Sequence, residues 1–479
     1  TIPLYTRAKE LVTKTGFTGN NPYSAYPRKE RIKFTIQVKD DVTGTYVPKT
    51  AYLDMIQVRR IENPKGVWRS AGNSDNFHVT LMRLPYDDAE DFKPFNSEGA
   101  WSATIVEGGD DFITLRSTVE GSGSDNAQQT GVKSIEGAGE HPIDFWIDFK
   151  GTIPEGATPR CAIVRVRYHN YTCEHDIFVR QGYAPITING NAESNNNPAW
   201  TSYNVYRFDA NNAPVYTKSP LEEGSLFRRG NRTAILASNN DRSGFTFGVE
   251  PTGSFNVLEF GSATTSQKTW SQLAPSADDV KSRFASWSIA GDHERIATIE
   301  DFYTLESTSI HSNINKAYGV LYGDGATETQ KSVKEAFGYD HNEDPTNSKK
   351  GMRGCFVFNV NNSRNIFFPI GKSGYGRRKG MTSNGEKVGT LRYAQRTDYY
   401  NNDGTGNIQY VPLFYDLFER PGAIYQCRTR LESTNNEVKN SSAFDINYFT
   451  MGFEGFENGA SNNNNGSDSD ACFIRTVKY

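Results

Sequence analysis

The sequence has few of the features that identify common enzymes and membrane proteins. It contains no run of eighteen apolar residues, so we expect no transmembrane helix. Its 7 histidines form no HExxH pair, and no GxSxG sequence is present, so the signatures of zinc proteases and α/β-hydrolases are missing. Five cysteines exclude a disulfide scaffold, although one disulfide bond remains an alternative to buried thiols. They are Cys161, Cys173, Cys355, Cys427 and Cys472.

The net charge is also small, and the chain has only 6 Trp residues. A net charge of −4 and a pI near 6.1 give no general attraction to nucleic acid. In contrast, 25 Tyr and 29 Phe supply ample material for buried β cores. Apolar residues make up only 36% and the mean hydropathy is −0.65, which indicates many polar loops. This mixture favours β-sandwiches with long connections, and 479 residues predict two to four domains.

The first half of the chain reads as short strands after an irregular segment, 1–28. In "RIKFTIQVKD" the residues Ile32, Phe34, Ile36 and Val38 fall on one face, which predicts a half-buried strand. Similar segments separated by turn residues predict an Ig-like or fimbrillin-like β-sandwich region over 29–182, as one elaborated or two small domains. The segments include "AYLDMIQVRRI", "NFHVTLMRL", "WSATIVEG", "DFITLRSTV", "PIDFWIDFK", "RCAIVRVRYHN" and "CEHDIFVRQG".

The second half begins with a polar stretch, 183–235, that predicts an interdomain linker. Over 236–479 strands mix with helical patterns, which predicts an α+β domain with most of its helix in the first third. Helices are predicted at "SADDVKSRFASW", "TIEDFYTLES" and "TQKSVKEAF", the second with a capping box formed by Thr298 and Asp301. Strands are predicted at "GCFVFNV", "NIFFPIG", "GAIYQC", "INYFTMGF" and "CFIRTV".

The sequence Gly371-Lys372-Ser373 resembles the end of a nucleotide-binding P-loop. A P-loop also needs a glycine at position 366, where this chain has Ile366, and a helix that starts at the serine. Glycines in the following "GYGRRKG" would break such a helix, so we reject a nucleotide site. The basic loop with Arg377 and Arg378 is better explained as a solvated turn than as an anion contact.

Other clusters of potential ligands also lack the spacing of a dedicated site. His169, Cys173 and His175 flank one hairpin but provide no fourth zinc ligand. Asp468 and Asp470 lie in an asparagine-rich stretch without the alternation of a calcium loop. We therefore predict no metal, no cofactor and no catalytic residue.

The C-terminal part resembles a known domain. "SWSIAGDHERIATIEDF", "RGCFVFNVNNSRNIFFPIGKSGYGRR" and "ACFIRTVKY" resemble the motifs of the Fibrobacter succinogenes major paralogous domain found in surface proteins of Bacteroidetes. The Cys-Pro-Pro of that family's first motif is missing, and Ala297 replaces its usual proline. The resemblance implies a C-type-lectin-like fold, with "NIFFPIG" as a central strand and "KSGYGRRKG" as an exposed rim loop. It therefore implies ligand contacts on rim loops, at Lys372, Tyr375, Arg377, Arg378, Tyr399 and Tyr400.

The preceding part is similar to Bacteroidetes Ig-like, BACON-like modules through "WSATI", "DFITL" and "RCAIVRVRYHNYTCEHDIFVRQGYAP". Chains of this layout occur as tip and accessory subunits of type V fimbriae, exemplified by the fimbrillins. The resemblance implies a non-enzymatic subunit of a fimbrium, involved in adhesion and virulence. It also implies a place at the cell surface or outer membrane, after export by a signal sequence absent from this chain. Its partners would be other fimbrial subunits and a host or bacterial surface protein or glycan, not nucleic acid.

Fimbrillin subunits are assembled by strand addition after proteolysis of an N-terminal strand. Arg7, Arg28 and Lys29 are basic residues at which such cleavage is expected, before the strand at Ile32. Since Tyr479 follows a strand that its own domain requires, the sequence predicts a subunit that accepts a strand without donating one, at the tip of the polymer. The alternatives are a glycan-binding lipoprotein of a polysaccharide-uptake system, a secreted hydrolase and a stand-alone adhesin.

Overall fold

The computed structural model describes residues 28–479 except 58–60, 84–92, 119–128, 140, 191–192, 195, 229–230, 238–252, 274–292, 306–312, 330–350, 370–421, 427–442, 448–451 and 457–470. The described residues are mainly β, arranged in several sheets as expected for sandwich-like proteins. The chain forms two compact units, Thr1–Ile61 and Glu62–Tyr479. Among the described residues, no helix combines the length and the apolar character needed to span a bilayer.

The first unit contains one long hairpin. Strand β1 (Arg28–Lys39) pairs with β2 (Tyr46–Gln57) in an antiparallel register of twelve residue pairs, from Arg28 with Gln57 to Lys39 with Tyr46. The predicted strand is confirmed, although it begins at Arg28 rather than at Arg31. Together the two strands form a separate two-stranded sheet.

The predictions do not include Gly66–Arg69, Lys93–Pro94 or Ser134–Gly137, but segments predicted from alternating patterns account for most of the eleven described strands between residues 61 and 181. They are β3 (Ile61–Asn63), β4 (Gly66–Arg69), β5 (Phe77–Thr80), β6 (Met82–Arg83), β7 (Lys93–Pro94), β8 (Trp101–Gly108), β9 (Ile113–Ser117), β10 (Ser134–Gly137), β11 (Asp144–Phe149), β12 (Arg160–Tyr168) and β13 (Cys173–Gln181).

The remaining strands follow from residue 199 onward. They are β14 (Ala199–Trp200), β15 (Val205–Phe208), β16 (Pro214–Tyr216), β17 (Ser225–Arg228), β18 (Ala234–Leu236), β19 (Ser254–Leu258), β20 (Thr265–Thr269), β21 (Glu294–Ile296), β22 (Ile314–Tyr322), β23 (Met352–Asn359), β24 (Asn365–Pro369), β25 (Gly422–Gln426), β26 (Ala443–Asn447), β27 (Gly452–Phe456), β28 (Ala471–Cys472) and β29 (Thr476–Lys478). Four of these strands, β14 to β17, lie in the predicted linker 183–235.

An eight-stranded sheet dominates the second unit, in the order β10-β8-β12-β13-β4-β22-β23-β24. It takes strands from both regions that the sequence analysis separates, and the short strand β4 joins them through parallel pairs with β13 and β22. Side chains from the two parts pack together, as in the contact of Phe178 with Phe356 at 5.3 Å between ring centroids. At Gly66 a Cβ atom would lie 2.4 Å from the Phe356 ring, so β4 requires glycine there.

The smaller sheets complete the second unit. They have the orders β3-β6-β7, β5-β11-β9, β14-β29-β21, β15-β16, β20-β19-β18-β17-β28 and β25-β26-β27. A buried hydrophobic cluster joins residues of β15, β17, β18 and β19 with Ile296 of β21 and with Ile474, and it includes Phe208 and Phe227. Complete burial of one such apolar side chain stabilises the folded state by about 1.5–3 kcal/mol.

Helix is sparse in the described part of the chain. Helix α1 (Ile299–Tyr303) begins at the predicted capping box: the Asp301 N–H donates to the Thr298 hydroxyl, and the Thr298 N–H donates to the Asp301 carboxylate at 2.7 Å. The predicted helix at 276–287 and residues 330–337 of the helix predicted at 329–337 lie outside the described residues. Because the described residues of 236–479 are mainly strands, an α+β C-terminal domain is not supported.

Candidate functional site

The rim-loop residues predicted from the resemblance are not described by the structure. Lys372, Tyr375, Arg377, Arg378, Tyr399 and Tyr400 all lie outside the described residues. Strand β24, which precedes this segment, is described, and its five residues are buried as predicted. Its position differs from the prediction, because β24 is the last strand in the described order of its sheet and not a central one.

The β1–β2 hairpin exposes apolar residues that the alternating pattern predicts to be half buried. Ile32 and Phe34 are partly buried, but 62% of Ile36, 38% of Val38 and 39% of Leu53 are exposed. The register places these residues on one face, with Ile32 opposite Leu53 and Val38 opposite Val47. We call Ile32, Phe34, Ile36, Val38, Val47 and Leu53 the apolar face of the hairpin. An isolated two-stranded sheet is only marginally stable in water. Covering this apolar face with another surface would therefore stabilise the hairpin.

The opposite face of the hairpin is basic and aromatic. Lys33, Lys39, Tyr46 and Tyr52 are exposed on it, and the Arg31 guanidinium lies 5.6 Å from the centroid of the Tyr52 ring. The two strands together contain six Lys and Arg residues against two Asp and Glu residues, although one of the six, Lys49, is the cross-strand neighbour of Ile36 on the apolar face. The hairpin therefore combines an apolar face with a positively charged one.

A carboxylate orders the turn of the hairpin. Asp40 Oδ1 accepts hydrogen bonds from the N–H groups of Thr43 at 2.8 Å and Val42 at 3.0 Å, and from the Thr43 hydroxyl at 3.0 Å. These bonds, with the Thr43 N–H first, lower the pKa of Asp40. The Gly44 N–H closes the turn on the Asp40 carbonyl at 2.8 Å, and Gly44 has a φ of 70° that glycine adopts without strain.

A second surface lies on the outer face of the β5-β11-β9 sheet. Strand β11 alternates buried Phe145, Ile147 and Phe149 with partly exposed Asp144, Trp146 and Asp148. Trp146 stands between its cross-strand neighbours His78 and Arg116. The His78 ring stacks on the indole at 4.5 Å between centroids, and the Arg116 guanidinium lies 4.5 Å from the indole centroid. We call these three residues the β11 ladder.

Carboxylates lie beside both His78 and Arg116 of the β11 ladder. Asp148 accepts two hydrogen bonds from Arg116, at 2.8 and 2.9 Å, and these bonds raise the pKa of Arg116. Asp144 lies 2.6 Å from His78 Nε2 and accepts a hydrogen bond from the Thr80 hydroxyl at 2.9 Å. Because His78 and Arg116 cover both faces of the indole, Trp146 does not provide a flat surface on which a sugar ring can stack.

The segment with β28 and β29 lies inside the second unit. Strand β29 is the middle strand between β14 and β21, and β28 pairs with β17. Phe473, Ile474 and Val477 are at most 1% exposed. The strand that the sequence analysis expects to be required by its own domain is thus paired on both sides within the second unit.

Arg475 anchors this segment through a buried guanidinium. It donates hydrogen bonds to Asn204 Oδ1 at 2.8 Å, to the Thr201 carbonyl at 2.9 Å and to the Phe367 carbonyl at 3.1 Å. Its guanidinium also lies 4.7 Å from the centroid of the Phe368 ring. Burial lowers the pKa of Arg475, since removal from water disfavours the charged form. This side chain connects β24, β29 and the segment after β14.

The two histidines of the predicted polar hairpin have different hydrogen-bonding partners. His169 Nδ1 accepts a hydrogen bond from the Glu98 N–H at 2.8 Å, whereas His175 Nε2 lies 2.7 Å from the Pro64 carbonyl oxygen. Within the described part of the chain, no three His, Cys, Asp or Glu residues are close enough to hold a metal ion. His169, Asn170 and Tyr171 all have left-handed φ angles, of 52°, 54° and 65°, and Tyr171 is exposed at the tip.

Sequence reasoning missed the β11 ladder and the exposure of the hairpin. The signal for the ladder is present in "DFWIDF", where Asp144, Trp146 and Asp148 alternate with three apolar residues. No local signal reports whether the apolar face of β1 is covered. No protein-family model matches the chain, and the comparison with curated proteins finds no match.

Proposed function

We propose that this chain is a non-enzymatic, cell-surface fimbrial subunit of the tip or accessory class that contributes to adhesion. The observation that carries the proposal is the β1–β2 hairpin, which exposes an apolar face and belongs to a separate two-stranded sheet. Such an element gains stability when another chain covers its face or extends its edge. This is the property that a subunit assembled by strand addition requires.

The finer fold assignment belongs to the same proposal. An Ig-like sandwich followed by a C-type-lectin-like domain would present the rim loops around Lys372 and Tyr399 to a ligand. The mainly β architecture of the described residues within Glu62–Tyr479 is consistent with a β scaffold that carries such loops. Location at the fimbrium or outer membrane, and a surface protein or glycan as the adhesion target, are part of the proposal.

The buried segment around β29 supports the assembly role in a second way. A strand that donates to a neighbouring subunit must leave its own fold, and the removal of Val477 and Arg475 from their sites would expose a dense interior. We therefore assign assembly contacts to the hairpin and not to β29. The hairpin leaves the outer edges of β1 and β2 available within the described part of the chain.

The experiment that tests this function follows the protein on the producing bacterium. Surface filaments are sheared and purified, and the chain is located by immunogold electron microscopy with antibodies against it. We expect co-purification with filaments and gold at or near filament ends. Deletion of Arg28–Gln57 should abolish filament association while export continues, whereas Tyr171→Ser at the exposed β12–β13 turn should have no effect.

Two outcomes would contradict the proposal. One is surface protein that never associates with filaments and is instead retained by glycans, which would favour the polysaccharide-uptake alternative. The other is hydrolysis of a glycan or peptide panel by the purified chain, with loss of turnover after substitution of a carboxylate.

A further inference from the structure

We infer that the apolar face of the hairpin binds the second unit of another copy of this chain, so that the protein self-associates from arm to body. This inference deepens the proposed function by naming the partner of the hairpin. Its test, the mass of the purified chain in solution, is independent of filaments.

The long strands of the hairpin leave part of its apolar face exposed. Its two strands are twelve residues each, well above the usual strand length, yet Ile36, Val38 and Leu53 remain substantially exposed. A long exposed apolar sheet face is a liability unless a partner covers it. Ile36 is the centre of this face, because it lies between Phe34 and Val38, and its cross-strand neighbour Lys49 is the one charged residue beside it.

The two units of the chain carry opposite net charges. Residues 1–61 contain 11 Lys and Arg against 5 Asp and Glu, so the rest of the chain contains 41 against 51. The first unit therefore has a net charge of +6 and the second unit −10. This asymmetry favours contact between unlike units and raises the rate of their encounter.

Charge distinguishes between two ways of self-association. Two hairpins that pack face to face would bring two positively charged strand pairs together, which costs electrostatic free energy. Packing of the hairpin on the acidic second unit of another copy joins opposite charges and also covers the apolar face. Such a heterologous contact closes as a dimer when the arms are exchanged reciprocally, and otherwise extends into an open chain.

The experiment measures the mass of the purified full chain by sedimentation velocity and light scattering over a range of concentrations. We expect association that strengthens with protein concentration and weakens at least tenfold between about 0.05 and 0.5 M NaCl, because salt screens exposed charges. A monomer at all concentrations in low salt would overturn the inference. It would leave the proposed function intact if the chain still co-purifies with filaments.

Two matched variants separate the apolar face from the charge. Ile36→Lys places a second positive charge beside Lys49 in the apolar face and should weaken association by at least about tenfold, which corresponds to 1.4 kcal/mol. Gln37→Lys adds the same charge to the next residue, which is exposed on the opposite face, and should leave association within about twofold of the natural chain. Equal effects of the two variants would contradict a role for the apolar face.

A mixing experiment separates arm-to-body from arm-to-arm contact. The Ile36→Lys chain has an altered arm but an unaltered second unit, so it should still capture the natural chain while failing to associate with itself. Arm-to-arm contact predicts that both pairings are weakened. Because Lys39→Glu retains the apolar face, it checks the charge in a second way, and it should reduce the salt dependence.

Discussion

The β1–β2 hairpin and the β28–β29 segment differ in strand length and in side-chain burial, in opposite directions. The hairpin has two strands of twelve residues and a complete ladder, but its apolar face is exposed. Strand β29 has three residues, yet it lies between two other strands, and Val477 is completely buried. The comparison teaches that the length of a strand and the number of its hydrogen bonds do not decide how firmly it is held. Burial of its side chains does, because each net hydrogen bond contributes only about 0.5–1.5 kcal/mol.

The largest test of this comparison is deletion of Cys472–Tyr479. The deletion removes Phe473, Ile474, Arg475 and Val477 from buried sites, and the lost burial alone is comparable to a typical total stability of about 5–15 kcal/mol. We expect loss of cooperative thermal unfolding, measured by circular dichroism and calorimetry. Removal of Tyr479 alone is the control and should retain a cooperative transition. A deletion variant that melts like the full chain would refute the structural role of β29.

Arg475→Met tests a single anchor in the same segment. The substitution keeps apolar volume but leaves Asn204 Oδ1 and the Thr201 and Phe367 carbonyls without this donor. We expect the free energy of unfolding to fall by about 2–4 kcal/mol in denaturant titrations. Arg160→Met, whose guanidinium contacts the Thr152 carbonyl at a more exposed site, should cost less than about 1 kcal/mol. Equal costs would show that burial does not distinguish the two arginines.

The residues of the β11 ladder are intermediate in exposure between the apolar face of the hairpin and the buried β29 segment, so they extend the comparison to partly exposed side chains. Arg116→Ala removes the guanidinium from the Trp146 ring and from the Asp148 carboxylate, and should cost about 1–2 kcal/mol. A double-mutant cycle with Asp148→Ala should show coupling between the two residues. Arg167→Ala, which disrupts an exposed pair with Glu174 at 3.3 Å, is the control and should cost less than about 0.5 kcal/mol.

The smallest effect is expected at the turn of the hairpin. Because hydrogen bonds lower the pKa of folded Asp40, its contribution is complete above the unfolded value near 4 and disappears as the pH falls through the lower folded value. We expect the Gly44 amide resonance to lose its ordered chemical shift in this acidic range. Asp40→Ala should show the same loss at neutral pH, and Asp41→Ala should not. An Asp40→Ala hairpin with an unchanged Gly44 resonance would contradict this role.

Local patterns predicted much of the secondary structure. "WSATIVEG" corresponds to β8 without a shift, and the Thr298 capping box begins α1 as expected. Longer patterns were divided, as in "NFHVTLMRL", which forms β5 and β6, and "CFIRTV", which contains parts of β28 and β29. Alternation reports side-chain direction, but it does not report where a strand stops pairing with one neighbour and begins with another.

The pairing of distant segments could not be predicted. Nothing near Gly66 indicates that β4 pairs with both β13 and β22, and nothing near Arg475 indicates the carbonyls of Thr201 and Phe367 as its acceptors. For the same reason, the pattern of β1 predicted an apolar face but not its exposure. The rim loops with Lys372 and Tyr399 remain a prediction.

The central position of β29 also has a consequence for the time course of biogenesis. The Thr201 hydroxyl, beside β14, donates a hydrogen bond to the carbonyl of Thr476, which is synthesised 275 residues later. Until that partner is synthesised, β14 and β21 have no strand between them, and the hydrophobic interior around Trp200 stays open. Such late closure slows acquisition of the native state and prolongs susceptibility to aggregation and proteases. A nascent chain of this kind therefore benefits from a holding chaperone until residues 476–478 are in place.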